Sequence, residues 1–149
     1  MSTGKNYDDT YDSIPETLLE AFLKTKPHSG IFHRILSKYT IKSIKLEPKE
    51  KISYKFDVEL VDKKGNVIYT GVLNATNERF FFEEKETKKP IIVELPFDEI
   101  TKVSKHTFKR KIYNIKINED TFMFRFLHDK DLKKFGKMVD VWLSPILNN

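Results

Sequence analysis

The feature that most constrains this chain is the order of its periodic segments. Strand-like stretches follow one another through its middle, and one strongly amphipathic helix closes the series. In residues 129–143 the apolar side chains Leu132, Phe135, Met138, Val139, Trp142 and Leu143 recur at helical spacing, while Lys133, Lys134, Lys137 and Asp140 fall elsewhere. Asp129 is the expected N-cap, Asp131 adds favourable charge to the first turn, and Ser144-Pro145 is the expected stop. Burying six such side chains stabilises by roughly 9–18 kcal/mol gross, before entropy is subtracted. A helix of this kind, placed after a series of strands, needs a sheet to cover.

The strands occupy about residues 50–127. Ile52, Tyr54, Phe56, Val58 and Leu60 alternate with Lys51, Ser53, Lys55, Asp57 and Glu59, the clearest period of two in the chain. A turn at Asp62-Lys63-Lys64-Gly65 leads to a second strand over 66–75. Gly71 in mid-strand predicts a bulge, a bend or close approach of another backbone. Thr76-Asn77-Glu78 reads as a tight turn. Arg79 to Glu84 is the third strand, and its Phe80-Phe81-Phe82 run must serve both faces of a sheet. Ile91 to Leu95 is the fourth. After Pro96 and a turn at 97–100 the fifth is expected over 101–107, with Lys109-Arg110 as the next turn. Ile112–Ile117 and Thr121–Leu127 complete seven strands, with Phe122, Phe124 and Phe126 on one face.

The N-terminal part reads differently. Residues 1–12 have no apolar face and are expected to be a flexible acidic arm. A helix is expected from Ser13, where Ser13 and Glu16 have capping-box spacing and Leu18, Leu19, Phe22 and Leu23 form a stripe. A second is expected over about 29–38, so helices fill 13–40 and one domain spans 13–149. The class is mainly β with flanking helices.

Charge is uneven. Residues 1–23 hold one lysine and five acids, a balance of −4, whereas the remaining residues hold 26 cations and 17 acids, a balance of +9. There is no cysteine, so disulfides, thiol nucleophiles and cysteine-bound zinc are excluded. No apolar run approaches the roughly 20 residues that span a bilayer, and the polar start is unlike a signal peptide, so a cytoplasmic location, with peripheral contact to a membrane as its extension, is the expectation.

Three stretches resemble the bacterial pleckstrin-homology-like (PH and GRAM-type) domains. Gly71-Val72-Leu73-Asn74-Ala75-Thr76-Asn77-Glu78-Arg79-Phe80-Phe81-Phe82 is similar to the family's Gly, apolar, Leu, then Thr-Asn-x-Arg and an apolar run. Leu95-Pro96-Phe97-Asp98-Glu99-Ile100-Thr101-Lys102-Val103 is similar to the segment that follows it, and Leu46-Glu47-Pro48-Lys49-Glu50-Lys51 resembles the Leu-x-Pro-x-Glu approach to the first strand. The resemblance covers about residues 31–143. It implies a bent, seven-stranded antiparallel sheet or barrel plugged by the C-terminal helix, and a binding module rather than an enzyme. It carries over no catalytic set, cofactor or metal.

The strongest functional signal in the residues themselves is an acid-free run from Ile100 to Asn118. It contains Lys102, Lys105, Lys109, Arg110 and Lys111, the candidate binding residues, and Lys116. A second acid-free run, Ala21 to Leu46, carries Lys24, Lys26, Arg34, Lys38, Lys42 and Lys45. Clustered cations attract an acidic protein, an anionic lipid surface or phosphate groups. The bland alternative is a solvated edge on which lysines discourage aggregation. Lys63 and Lys64 after the first strand are too sparse to define a phosphoinositide signature, which favours a protein partner or weak binding to an anionic membrane. A small apolar ligand in a pocket is the next reading. Nucleic acid is weaker still, because the phenylalanines alternate as core residues do. His28, His33, His106 and His128 read as surface or structural histidines, with no phosphate loop or nucleophile motif in the chain.

Overall fold

In a computed structural model, which describes residues 30–147, the alternating segments become one antiparallel sheet. The elements are α1 (Gly30–Tyr39), β1 (Thr40–Ile41), β2 (Ile52–Val61), β3 (Val67–Thr76), β4 (Arg79–Glu84), β5 (Ile92–Pro96), a 3-10 turn (Phe97–Glu99), β6 (Ile100–Lys105), β7 (Ile112–Ile117), β8 (Asp120–Phe126), α2 (Asp129–Trp142) and α3 (Ser144–Leu147). The eight strands lie in the order β1-β5-β4-β3-β2-β8-β7-β6. Two meanders therefore meet at β2, where Val58 faces Gly71 on one side and Phe126 on the other.

The inward side chains of both meanders enclose one core. Phe56, Val58 and Leu60 of β2, Phe80 and Phe82 of β4, and Phe122, Phe124 and Phe126 of β8 are all buried in it. Helix α2 closes this core with Phe135, whose ring centroid lies 4.8 Å from those of Tyr113 and Phe126 and 5.5 Å from that of Phe56. Trp142 contributes less than its size suggests. It is only partly buried and meets Tyr54 edge-on at 5.3 Å. The Phe80-Phe81-Phe82 run does serve both faces. Phe81 is buried on the side opposite the core, across from Asn74 and Glu94.

Gly71 is required by close approach. A Cβ at this position would lie 2.0 Å from the carbonyl oxygen of Glu83, so the β3–β4 contact forbids any side chain there. At the α1 end, Tyr39 ties helix to sheet. Its hydroxyl donates to Asp120 Oδ2 at 2.8 Å and accepts from Asn118 Nδ2 at 3.2 Å. Burial, opposed by the Asn118 bond and reinforced by Asp120, raises the pKa of this phenol.

Several expectations need correction. The sheet has eight strands rather than seven, because β1 adds a pair of residues beside β5 (Thr40 opposite Val93), too short to show any periodicity. The fifth of the expected strands ends at Lys105, not 107, because the chain turns back at His106. The N-cap of α2 is His128, not Asp129. It holds extended backbone (φ −123°, ψ 131°) and makes no side-chain cap bond, its ring instead lying 3.1 Å from Asp57 Oδ2. Ser144-Pro145 ends α2 as expected, yet also opens α3, where a proline's missing N–H is harmless in a first turn. The helix expected over 29–38 is α1. The arm 1–12 and the helix from Ser13 lie outside the described residues.

Candidate functional site

Two polar clusters stand out from the apolar frame, and they are built in opposite ways. The first joins two of the sequence stretches singled out above. Thr76 Oγ1 accepts the backbone N–H groups of Glu78 and Arg79, each at 3.0 Å, and so shapes the β3–β4 turn. The same hydroxyl donates to Glu50 Oε2 at 2.7 Å. Arg79 then grips Glu50 with both prongs, Nε and Nη2 each 2.8 Å from a carboxylate oxygen. Its remaining donors reach Glu94 Oε2 and, at 2.8 Å, the carbonyl of Lys45. Burial alone would raise the Glu50 carboxyl, but the bonds from Arg79, Thr76 and the Glu47 N–H outweigh it and hold the pKa at about 2. The Arg79 guanidinium is raised, chiefly by its bond to Glu50. With its donors on Glu50, Glu94 and Lys45, this cluster fastens the segment before β2 to the β3–β4 turn and to β5.

The second cluster is the loop from His106 to Lys111, between β6 and β7. His106 braces it. Its Nδ1 accepts the backbone N–H groups of Phe108 and Lys109, both at 3.1 Å, and its own backbone N–H donates to the Ile112 carbonyl at 2.8 Å. Nδ1 is thus unprotonated in this arrangement. Lys111 completes the turn in the left-handed region, φ 66°. The brace leaves a cleft of about 380 Å³ between the loop and the start of α2, lined by Lys105, His106, Lys109, Arg110 and Lys111, with Asp129 and Leu132 as the far wall. A shallower groove continues along α2 past Lys133 and Lys137.

Four of the five residues expected from sequence to bind an anion therefore meet at one place. Lys102 does not. It sits on β6 opposite Lys116, away from the cleft lining. Among the described residues only Lys111 of the four cleft cations is near a carboxylate, Asp129 Oδ1 at 3.3 Å, and both side chains of that pair are exposed. The β2–β3 hairpin also approaches. The Lys109 ammonium lies 2.7 Å from where a Cβ on Gly65 would stand, so the loop touches the turn that carries Lys63 and Lys64. Sequence reasoning missed three parts of this face: His106 as the brace, α2 as the far wall, and Phe108, which is 89% exposed at the loop tip. The signal for Phe108 was present as the one phenylalanine inside a run of cations.

Paired meanders closed across β2 and β8 and plugged by a C-terminal helix define a PH-like fold, and solved structures agree. The Vps36 N-terminal PH domain superposes with a TM-score of 0.57 at 16% identity, over 76% of this chain and 98% of that one. The C-terminal domain of an unknown protein from Leishmania infantum gives 0.52 at 18% identity, over 77% and 97%. An N-terminally truncated linker-DH/PH structure of p115-RhoGEF gives 0.55 at 8% identity, over 85% of this chain and 36% of that one. The GRAM domain family model matches residues 35–140, so the chain belongs to the GRAM domain family. No curated protein matches it in sequence. Among the described residues no helix is long and apolar enough to cross a membrane, and no group of three or more histidines and acids stands ready for a metal ion.

Proposed function

We propose that this chain is a non-enzymatic PH-like binding module that docks through the β6–β7 loop onto a partner surface dense in negative charge. One observation carries the reading. A braced loop gathers Lys105, Lys109, Arg110 and Lys111 around a single cleft, with Asp129 as the only carboxylate among the described residues that line it. An edge that merely needed solubility has no use for a histidine that holds the loop in one shape. Membership of the GRAM family and the PH-like fold support a binding role, while the loop supplies the chemistry of what is bound.

The corresponding test is retention on immobilised heparin, a generic polyanion, as salt is raised. The chain is expected to bind at low salt and to elute well before molar salt, because exposed charges are screened over about 8–10 Å at physiological ionic strength. Lys109→Glu/Arg110→Glu should lose retention without a change in thermal midpoint. Retention equal to that of the unsubstituted chain would remove the loop from the binding face.

A further inference from the structure

We propose that the anionic partner is a lipid leaflet and that Phe108 enters it. This rests on the docking role of the β6–β7 loop proposed above and adds the identity of the surface. An exposed phenyl ring is costly in water. The nine other phenylalanines with described side chains, from Phe56 to Phe135, are all buried. Among the described phenylalanines Phe108 alone stands 89% exposed, on the β6–β7 loop. Its backbone N–H donates to His106 Nδ1 at 3.1 Å, which fixes the main chain that carries the exposed ring.

The loop also sets aromatic and cationic side chains next to one another in sequence. The phenyl ring is exposed and does not line the cleft, whereas Lys105, Lys109, Arg110 and Lys111, its near neighbours in sequence, do. A leaflet has the complementary order: phosphate and carboxylate headgroups first, acyl chains beyond them. Cations at headgroup level with an aromatic ring just deeper is how peripheral segments are held at this boundary. An acidic protein would satisfy the cations but would also need an apolar socket for the ring. A single-stranded nucleic acid would need an aromatic platform for successive bases, and one phenyl does not form one. Lys63 and Lys64, on the hairpin that Lys109 touches, extend the cationic level beside the tip.

Charge and insertion make separable contributions, since salt screens the first and leaves the second. The experiment uses the full chain with phosphatidylcholine vesicles containing phosphatidylserine, by sedimentation at low and physiological salt. Phe108→Ala is expected to weaken binding roughly tenfold, about 1.4 kcal/mol, at both salt concentrations. Lys109→Glu/Arg110→Glu is expected to abolish the salt-dependent part. Phe108→Trp should retain binding and should be quenched by vesicles with brominated acyl chains, whereas the native Trp142, in the helix, should not. If Phe108→Ala binds as well as the unsubstituted chain and Phe108→Trp is not quenched, insertion is overturned, while loss of binding in the charge reversal keeps the docking loop. If the charge reversal also binds normally, the docking loop falls too. If the chain ignores these vesicles at low salt yet binds heparin through the same two cations, the leaflet is wrong and the anionic docking face stands.

Discussion

Arg79 and the cations of the β6–β7 loop are the same kind of residue in opposite circumstances. Arg79 is largely buried, carries a bidentate bond to Glu50 and a second carboxylate at Glu94, and has pulled Glu50 down to about 2. Lys109 and Arg110 lie on a surface loop and, among the described residues, have no carboxylate within 4 Å. Their circumstances separate structural charge from functional charge. Residues that make the chain resemble its family are saturated by their own neighbours and hold the fold. Charges left without partners are available to something else.

The comparison breaks first if the frame is not what holds the protein. Phe135→Ala should cost about 3–5 kcal/mol, the range for emptying a buried aromatic site, measurable by urea unfolding. Its ring touches β2, β4, β7 and β8 through Phe56, Phe80, Tyr113 and Phe126. Arg79→Met should follow closely, at roughly 3–5 kcal/mol, because it leaves Glu50 buried without its cation. Adding Glu50→Gln to Arg79→Met should recover part of that loss, since the orphaned charge is then gone. If the single substitution melts like the unsubstituted chain, the cluster is not structural.

Acid sharpens the same point. Glu50 is depressed from 4.5 to about 2, so its stabilisation is fully present above 4.5 and is lost as pH falls toward 2. On the order of 3 kcal/mol should disappear across that window, read from unfolding midpoints at successive pH values. In Glu50→Gln that segment of the pH profile should flatten. Trp142→Ala comes next, at about 2 kcal/mol, below the range for a fully buried tryptophan because its side chain is only partly buried.

How far the sequence foresaw all this can be seen in particular residues. The alternation of Ile52 to Leu60, the Phe122, Phe124 and Phe126 face and the stripe of α2 were legible because periodicity reports burial directly. Gly71 was legible as a bulge, a bend or a close approach, and the contact with Glu83 makes it the last of these. Glu50 and Arg79 were legible as family-like residues but not as a pair, since they lie 29 positions apart and only the fold brings them together. The turn at Lys109-Arg110 was legible, but the shape of the 106–111 loop was not. Its shape comes from one imidazole nitrogen accepting two backbone N–H groups, which no hydrophobic pattern encodes. For the same reason Lys102 and Lys105 looked equivalent in sequence, and only the end of β6 separates them.

The smallest expected effect on stability belongs to the loop. Lys109→Glu/Arg110→Glu should shift unfolding free energy by no more than about 0.5 kcal/mol, as surface changes away from packed features do. The most direct measurement is therefore a paired one, thermal midpoint and sedimentation with anionic vesicles on the same samples of Arg79→Met and Lys109→Glu/Arg110→Glu. The account predicts that Arg79→Met melts far lower yet still binds at temperatures where it is folded, while the loop variant keeps its midpoint and loses the vesicles. A loop variant that melts lower and binds normally would contradict the division between a cation that holds the fold and cations that face a partner.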